Sequence, residues 1–394
     1  MAAHVEALVN ANVLAWARIK SGLTPEEAAR RAAVAASKLL SWEQATARPT
    51  IPQARKLASV YRRPLALFYL SAPSEDFMPM LHDFRRLPGT GEGPGKGNLT
   101  FEIRRAFERR SIALELLEQT GTVVPSIPQI DSRVSDPEEF AGALRERLRI
   151  SLDEQITWRT PYEALNALKA AVESLGILVF QASRVDIAEM RGISIHQRPL
   201  PIIVLNSADA PNGRIFTIIH ELAHLLLNES GLCDMREGGE ISAEDKAKEV
   251  FCNKVAGTVL LPTQALLGDQ IVASYRGSTW SDDAVSALSR KYSVSREVVL
   301  RRLLALGKID SGFYARKTEE YYQEFLRNKK DREGFAPPHV QVLSQAGTYF
   351  ANLVLENYHR ERITSADVSE YLGMRLKHLQ RVEEALASKV VIEN

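Results

Sequence analysis

Hydrophobic positions along the chain recur mostly at helical spacing. Over residues 9–70 the pattern predicts several short helices. VNANVLAWARIK is amphipathic, LTPEEAARRA opens with Thr24 as N-cap and Pro25 at the first helical position, and AASKLLSWEQ follows after a brief break. TARPTIPQ reads as a loop, after which ARKLASVYRR resumes the helical period. From 73 to 100 the Pro- and Gly-rich APSEDFMPMLHDFRRLPGTGEGPGKGN predicts a linker. LTFEIRRAFERRSIALELLEQT then predicts a long charged helix that bridges the N-terminal helices to the rest of the chain.

From about residue 126 the texture changes. Helical PEEFAGALRERLRI and PYEALNALKAAVESLG lead into ILVFQ, RGISI and PIIVLNS, three short β-branched runs bounded by turn residues. The apolar run IFTIIHELAHLLL (215–227) returns to helix. After the polar stretch NESGLCDMREGGE, SAEDKAKEVFCNKVAGTVLLP predicts a further helix that ends at Pro262. Helices mixed with a small sheet in this way make one α+β domain. The remainder is nearly all helical. DDAVSALSRKYSVSREVVLRRLLALG has two short helices around a Tyr-Ser-Val-Ser turn, the spacing of a helix-turn-helix, and ITSADVSEYLGMRLKHLQRV has a faintly similar shape, too weak to count as a repeat. The expected organisation is a helix-turn-helix domain of five-helix type at 1–72 and a linker with bridging helix at 73–125. The α+β domain follows at 126–268, then a second helix-turn-helix-like segment at 269–310 and a helical C-terminal domain at 311–394. The expected class is therefore mainly α with one α+β domain.

A length of 394 residues suits two or three domains, and 45% hydrophobic with 25% charged residues is the composition of a soluble globular protein. With 50 Lys and Arg against 49 Asp and Glu, the whole molecule exerts no global pull on nucleic acid or membrane, so local charge must carry any such contact. No basic-then-apolar leader opens the chain, and no uncharged stretch approaches the roughly 20 residues that span a bilayer. Two cysteines, Cys233 and Cys252, are too few for a disulfide framework. These features set the expectation of a cytoplasmic protein without membrane contact.

Within IFTIIHELAHLLL, His220, Glu221 and His224 fit the pattern H-E-x-x-H. Positions four apart share a helix face, so both imidazoles can address one metal ion with Glu221 beside them. A divalent ion held this way polarises a carbonyl and acidifies a water, whose proton the Glu takes. A helix buried only for structure would carry Leu or Ala here, because burying three unpartnered polar side chains costs about 1–3 kcal/mol each. A third ligand is needed, and the downstream candidates are Glu229, Asp234, Glu237, Glu240, Glu244, Asp245 and Glu249. Glu249 differs from the rest. Its neighbours at i+3, i+4 and i+7 are Cys252, Asn253 and Ala256, a stripe of small residues that can pack closely against another helix. The alternative is an exposed Glu249 paired with a lysine such as Lys246. Cys252 reads as a small core residue rather than a soft ligand. Asn253 either orients a ligand from behind or bonds a neighbouring helix. His196, next to Arg198, is a weaker metal candidate.

The stretch RGISIHQRPLPIIVLNSADAPNGRIFTIIHELAHLLL followed by EVFCNKVAGTVLLP resembles the ImmA/IrrE family of bacterial metallopeptidases, closely over about 190–262. DFRRLP (83–88) resembles a feature of its longer members. Cys252 stands where Ala is common and Val255 where Phe is common, differences of packing rather than chemistry. The resemblance implies a zincin-like metallo-endopeptidase domain with His220, His224 and Glu249 as ligands of zinc or manganese and Glu221 as general base. It also implies a protein substrate, with a transcriptional repressor as the leading class, in mobile-element control or stress response.

The segment SGLTPEEAARRAAVAASKLLSWEQATARPT resembles the Xre/Cro-type helix-turn-helix, with Trp42-Glu43 and Arg48-Pro49-Thr50 at its frequent W-E and R-x-P-T positions. In such a fold AASKLLSWEQ is the recognition helix. Ser37, Lys38 and Ser41 are then its exposed DNA-reading candidates, Leu39, Leu40 and Trp42 its core, and Arg48 a phosphate contact. Arg30-Arg31 and Arg62-Arg63 can support phosphate binding. A helix-turn-helix used for dimerisation or protein contact is the alternative, so a dimer stays open. The segment 282–306 is more basic, with Arg290, Lys291, Arg296, Arg301 and Arg302, yet its likeness rests on the short turn alone. A competing function is a DNA-binding regulator or antitoxin-like protein that binds a co-encoded partner and uses the peptidase domain as a surface.

Overall fold

The computed structural model describes residues 5–73, 97–124, 136–227, 243–275, 277, 280–329 and 336–390. DFRRLP (83–88), Cys233 and the third-ligand candidates Glu229, Asp234, Glu237 and Glu240 lie outside these residues. The chain divides into two compact units. Among the described residues the first holds 5–105 with 184–190, and the second holds the rest.

The first unit contains α1 (Ala11–Lys20), α2 (Pro25–Ala32), α3 (Ala36–Glu43), α4 (Ile51–Tyr61) and a 3-10 turn at Leu65–Tyr69. Local chemistry sets the starts of α2 and α4. Thr24 with Glu27, and Thr50 with Gln53, form reciprocal capping boxes, each followed by a proline in the first turn. Val13, Leu14, Leu39, Trp42, Leu57, Tyr61 and Phe68 form the core between these helices. Leu40, expected in that core, is only half-buried. Arg18 grips both carboxylate oxygens of Glu43 at 2.8–3.2 Å and donates to the Leu23 carbonyl, which locks α1, the turn after it and α3 together.

The helix α5 (Gly97–Thr120) starts in the first unit and continues into the second. The second unit then contains α6 (Pro137–Leu148), a single turn at Leu152–Gln155, α7 (Pro161–Ser174), β1 (Leu178–Ala182), β2 (Gly192–Ile195) and β3 (Ile202–Asn206). β3 is central, parallel to β1 and antiparallel to β2. Every residue of the three strands is buried, which explains their near-continuous apolar sequences. Next come α8 (Pro211–Leu226), α9 (Ala243–Leu260), two short turns at Thr263–Leu267 and Gln270–Ser274, α10 (Asp282–Lys291) and α11 (Arg296–Ala305). The chain closes with α12 (Ser311–Lys329), α13 (Pro338–Ala346), α14 (Thr348–His359), α15 (Ser365–Leu372), a 3-10 turn at Leu376–His378 and α16 (Leu379–Val390). The protein is thus mainly α with one small sheet. No helix among the described residues is long and apolar enough to cross a membrane.

One hydrophobic core runs from Phe140 on α6 through the sheet, α8 and α9 to α10, α11 and Phe313. A buried polar pin crosses it. The Gln155 amide donates to the carbonyls of Leu260 at 2.8 Å and Tyr292 at 2.7 Å, and its oxygen accepts from Arg145 at 2.8 Å. Gln155→Ala strands two buried carbonyls and removes one of the acceptors of Arg145, which keeps the carbonyls of Val259 and Ile150. It is expected to lower unfolding free energy by about 2–4 kcal/mol, read by chemical denaturation, because each orphaned buried polar group costs about 1–3 kcal/mol.

Candidate metal centre and helix-turn-helix surfaces

Helix α8 is apolar almost all round, and the structure buries it from Thr217 to Leu226 against β2, β3, α7 and α9. Such a helix lies inside a core, and the polar side chains it carries there need a purpose. His220 and His224 project from one face, their Nε2 atoms 3.2 Å apart. Helix α9 packs alongside through Cys252 and Ala256, both fully buried, and this close approach brings Glu249 over the histidines. Its carboxylate oxygens lie 3.5 Å from His220 Nε2 and 3.4 Å from His224 Nε2. In a tetrahedral shell with bonds of about 2.0–2.2 Å, ligand atoms sit about 3.3–3.6 Å apart. The three donors therefore already stand at nearly the separations that a zinc-class cation imposes. Two imidazole nitrogens and a carboxylate oxygen suit such an ion chemically, and three protein ligands mark catalytic rather than structural sites.

Among the described residues this is the cluster of metal-ligating side chains that converges. Of the other downstream acids, Glu244 pairs with Lys248 at 2.9 Å and Asp245 stands outside the cluster. The alternative partner Lys246 is exposed, while Glu249 faces the histidines. Cys252 is buried in the core and outside the cluster. Asn253 is half-buried, and its side chain makes no hydrogen bond among the described residues. His196 is half-buried beyond β2 and outside the cluster, its pKa lowered by desolvation and by Arg198.

Burial, and then the neighbouring His220, push the His224 pKa down to about 4 against a smaller opposing pull from Glu249. A neutral imidazole is the form that binds metal. With metal removed, His224 also ties stability to pH. Its folded pKa lies below the unfolded value, so the unfolded chain binds the extra proton first. Stability of the chelated protein is expected to fall as pH drops from about 6.5 towards 4, in a thermal melt series. His224→Gln is expected to flatten that slope.

Glu221 is buried next to His220 on the helix, and β2 packs closely against it. A Cβ placed on Gly192 would stand 2.3 Å from Thr217 Cγ2 and 3.3 Å from both Glu221 Cγ and Glu221 Oε1. Only a glycine lets the strand approach the helix this closely. Sequence reasoning treated RGISI merely as a strand; an isolated glycine at a strand start was the available signal. Gly192→Ala must displace Thr217 or Glu221. For the metallopeptidase that the resemblance implies, the expected outcome is a loss of activity far larger than the loss of bound metal, measured on the same preparation. Phe216, also missed, stacks on His220 with ring centres 6.1 Å apart, and Arg301 lies 5.3 Å over Phe216.

The DNA-reading candidates divide by exposure. On α3, Ser37 and Lys38 are exposed, while Ser41 is half-buried and spends its hydroxyl on the Lys38 carbonyl at 2.7 Å. Arg48 is exposed, as are Arg30 and Arg31. Arg62 and Arg63 instead lie over the rings of Phe101 and Trp16. In the second helix-turn-helix-like segment the bases are spoken for. Lys291 pairs with Asp269 at 2.6 Å, Arg296 with Glu324 at 2.7 Å, Arg301 with Glu297 at 2.9 Å and buried Arg302 with Glu138 at 3.0 Å. Only Arg290 of that set is an exposed base without such a pair among the described residues.

Residues 172–304 match the family model described as IrrE N-terminal-like domain, Peptidase_M78, and residues 11–68 match a model described as helix-turn-helix domain. No curated protein matches the chain. The chain therefore carries an N-terminal helix-turn-helix domain and an IrrE N-terminal-like peptidase domain, as the two resemblances imply.

Proposed function

We propose that this chain is a metal-dependent endopeptidase that cleaves one specific protein, a transcriptional repressor or co-encoded partner, and that binds DNA through its N-terminal helix-turn-helix. The observation that carries the reading is the convergence of His220, His224 and Glu249 at 3.2–3.5 Å, with Glu221 buried beside them. We assign the three as ligands of zinc, or of manganese in its place. Bound there, a divalent cation supplies a Lewis acid and an acidified water. Glu221 takes a proton from the attacking water as the new C–O bond forms at the peptide carbonyl carbon, and then delivers it to the amide nitrogen as the C–N bond breaks. Phe216 and Gly192 act as positioning residues, the first against His220 and the second by letting β2 hold Glu221 in place.

On the DNA side, Ser37, Lys38 and Ser41 are proposed to face the bases and Arg48 a phosphate, with the hydroxyl of Ser41 turning away from Lys38 to do so. A repressor substrate places the protein in the cytoplasm, in a stress-response or mobile-element circuit. Arg48→Ala is expected to weaken duplex binding evenly across sequences and to lower the slope of log affinity against log salt by about 0.9. The peptidase half is tested by incubating the purified, metal-loaded protein with the proteins encoded beside its gene. A new pair of termini in one of them, located by mass spectrometry, is the expected result. Intact partners throughout, together with promoter repression that survives Glu221→Gln unchanged, would instead establish a binding regulator.

A further inference from the structure

Among the described residues several helices end in the same turn, and three of these turns stand at Val34, Val294 and Met374. The N–H of Val34 bonds the carbonyl of Ala29 at 2.9 Å, that of Val294 bonds Ser289 at 3.1 Å, and that of Met374 bonds Ser369 at 3.0 Å. In each, the preceding residue (Ala33, Ser293 or Gly373) is left-handed, and the following residue caps the next helical segment. Such turns close many helices, so the turn alone identifies nothing.

The first and third copies agree well beyond the turn. Both leading helices, α2 and α15, are eight residues long. Thr24 and Thr364 each open theirs with a capping box closed by an acid, Glu27 or Asp367, three residues on. Buried Ala28 and Ala32 correspond to buried Val368 and Leu372, and buried Trp42 on the second helix corresponds to buried Val382. The same register carries Ser37, Lys38 and Ser41, the outward positions of α3, onto Lys377, His378 and Arg381, and the cap Ala35 onto Arg375. In the middle copy those outward positions fall on Glu297, Val298 and Arg301. There Val298 is buried and Arg301 is paired with Glu297, so the copy is turned into the core.

The third copy is open. Arg375, Lys377 and Arg381 are exposed, and among the described residues none of them pairs with a carboxylate. No acid occurs from 371 to 382; of the flanking acids Asp367 is engaged in its capping box, Glu383 with His359 and Glu384 with Gln380, while exposed Glu370 lies by Tyr371. His378 has a lowered pKa through desolvation and then the positive charge of Lys377, Arg381 and Arg375, with His339 of α13 adding to it. A concentrated positive face at the start of the second helix of a helix-turn-helix frame is the arrangement that meets a polyanionic duplex.

We infer that residues 364–390 form a second DNA-binding helix-turn-helix, which holds double-stranded DNA through Arg375, Lys377 and Arg381. This assignment is independent of the peptidase reading and of DNA contact by the N-terminal domain. It is tested in full-length protein carrying Lys38→Ala and Arg48→Ala, which weakens the N-terminal contribution, with a mixed-sequence duplex as probe. Adding Arg375→Ala, Lys377→Ala and Arg381→Ala is expected to weaken binding at least tenfold at low salt. The salt slope is expected to fall by about 0.9 for each phosphate that is no longer neutralised. The charge-conserving set Arg375→Lys, Lys377→Arg and Arg381→Lys is expected to keep the slope. An unchanged slope in the alanine set overturns the inference, as does equal weakening in the charge-conserving set, which would mark a structural role. Competition by poly-L-glutamate as effective as duplex DNA at equal charge would point to an acidic protein partner and likewise overturn it.

Discussion

Glu221→Gln is expected to reduce cleavage by about 10²–10⁴-fold while bound metal per chain stays at the wild-type level. The two roles separate by position. Glu221 stands outside the converging donor set, so metal retention should not depend on its charge. Glutamine keeps the volume packed against Gly192 and removes only the basic oxygen. Loss of activity with a filled site therefore reports proton transfer. Parallel loss of metal and activity would mean that Glu221 serves the site structurally. Cleavage rates and elemental analysis on one preparation distinguish these outcomes.

Glu249→Ala is expected to lower metal affinity by more than about 100-fold, since loss of residues that merely support metal ligands already costs 10–100-fold. The Glu249 side chain keeps 31% of its exposure, so its removal leaves little cavity and the apo fold should persist. Stability then discriminates cleanly. At metal concentrations about 100 times the wild-type dissociation constant, binding adds about 2.7 kcal/mol to the wild type and little to the variant. A chelator is accordingly expected to lower the melting temperature of the wild type and leave Glu249→Ala nearly unmoved. Equal chelator sensitivity in both would remove Glu249 from the ligand set.

How much of this the sequence carried depends on how far apart the cooperating residues lie. His220, Glu221 and His224 were legible because one helical turn contains them and because polar residues interrupt an otherwise apolar run. Glu249 was legible through Cys252 and Ala256, whose small size predicts a close helix contact on its own face. Gly192 was not, since the need for glycine arises only when β2 meets α8, two segments separated by β3. The pairing of the bases in 282–306 was not legible either, for a similar reason. Its neutralising acids Glu138, Asp269 and Glu324 are remote in sequence and converge only in the fold. The segment around Gly373 looked like a weak echo until Thr364, the left-handed turn and the exposed bases could be laid against α2 and α3 in one register.

The most direct test of the central claim is a metal titration of chelated protein with cleavage of the identified partner and bound metal read together. Cleavage that rises in proportion to bound metal and saturates at one ion per chain is the predicted result. His224→Gln, measured alongside, is predicted to remain inactive across the same range. Cleavage that proceeds in the metal-free protein, or that ignores occupancy of the His220–His224–Glu249 site, would contradict the account.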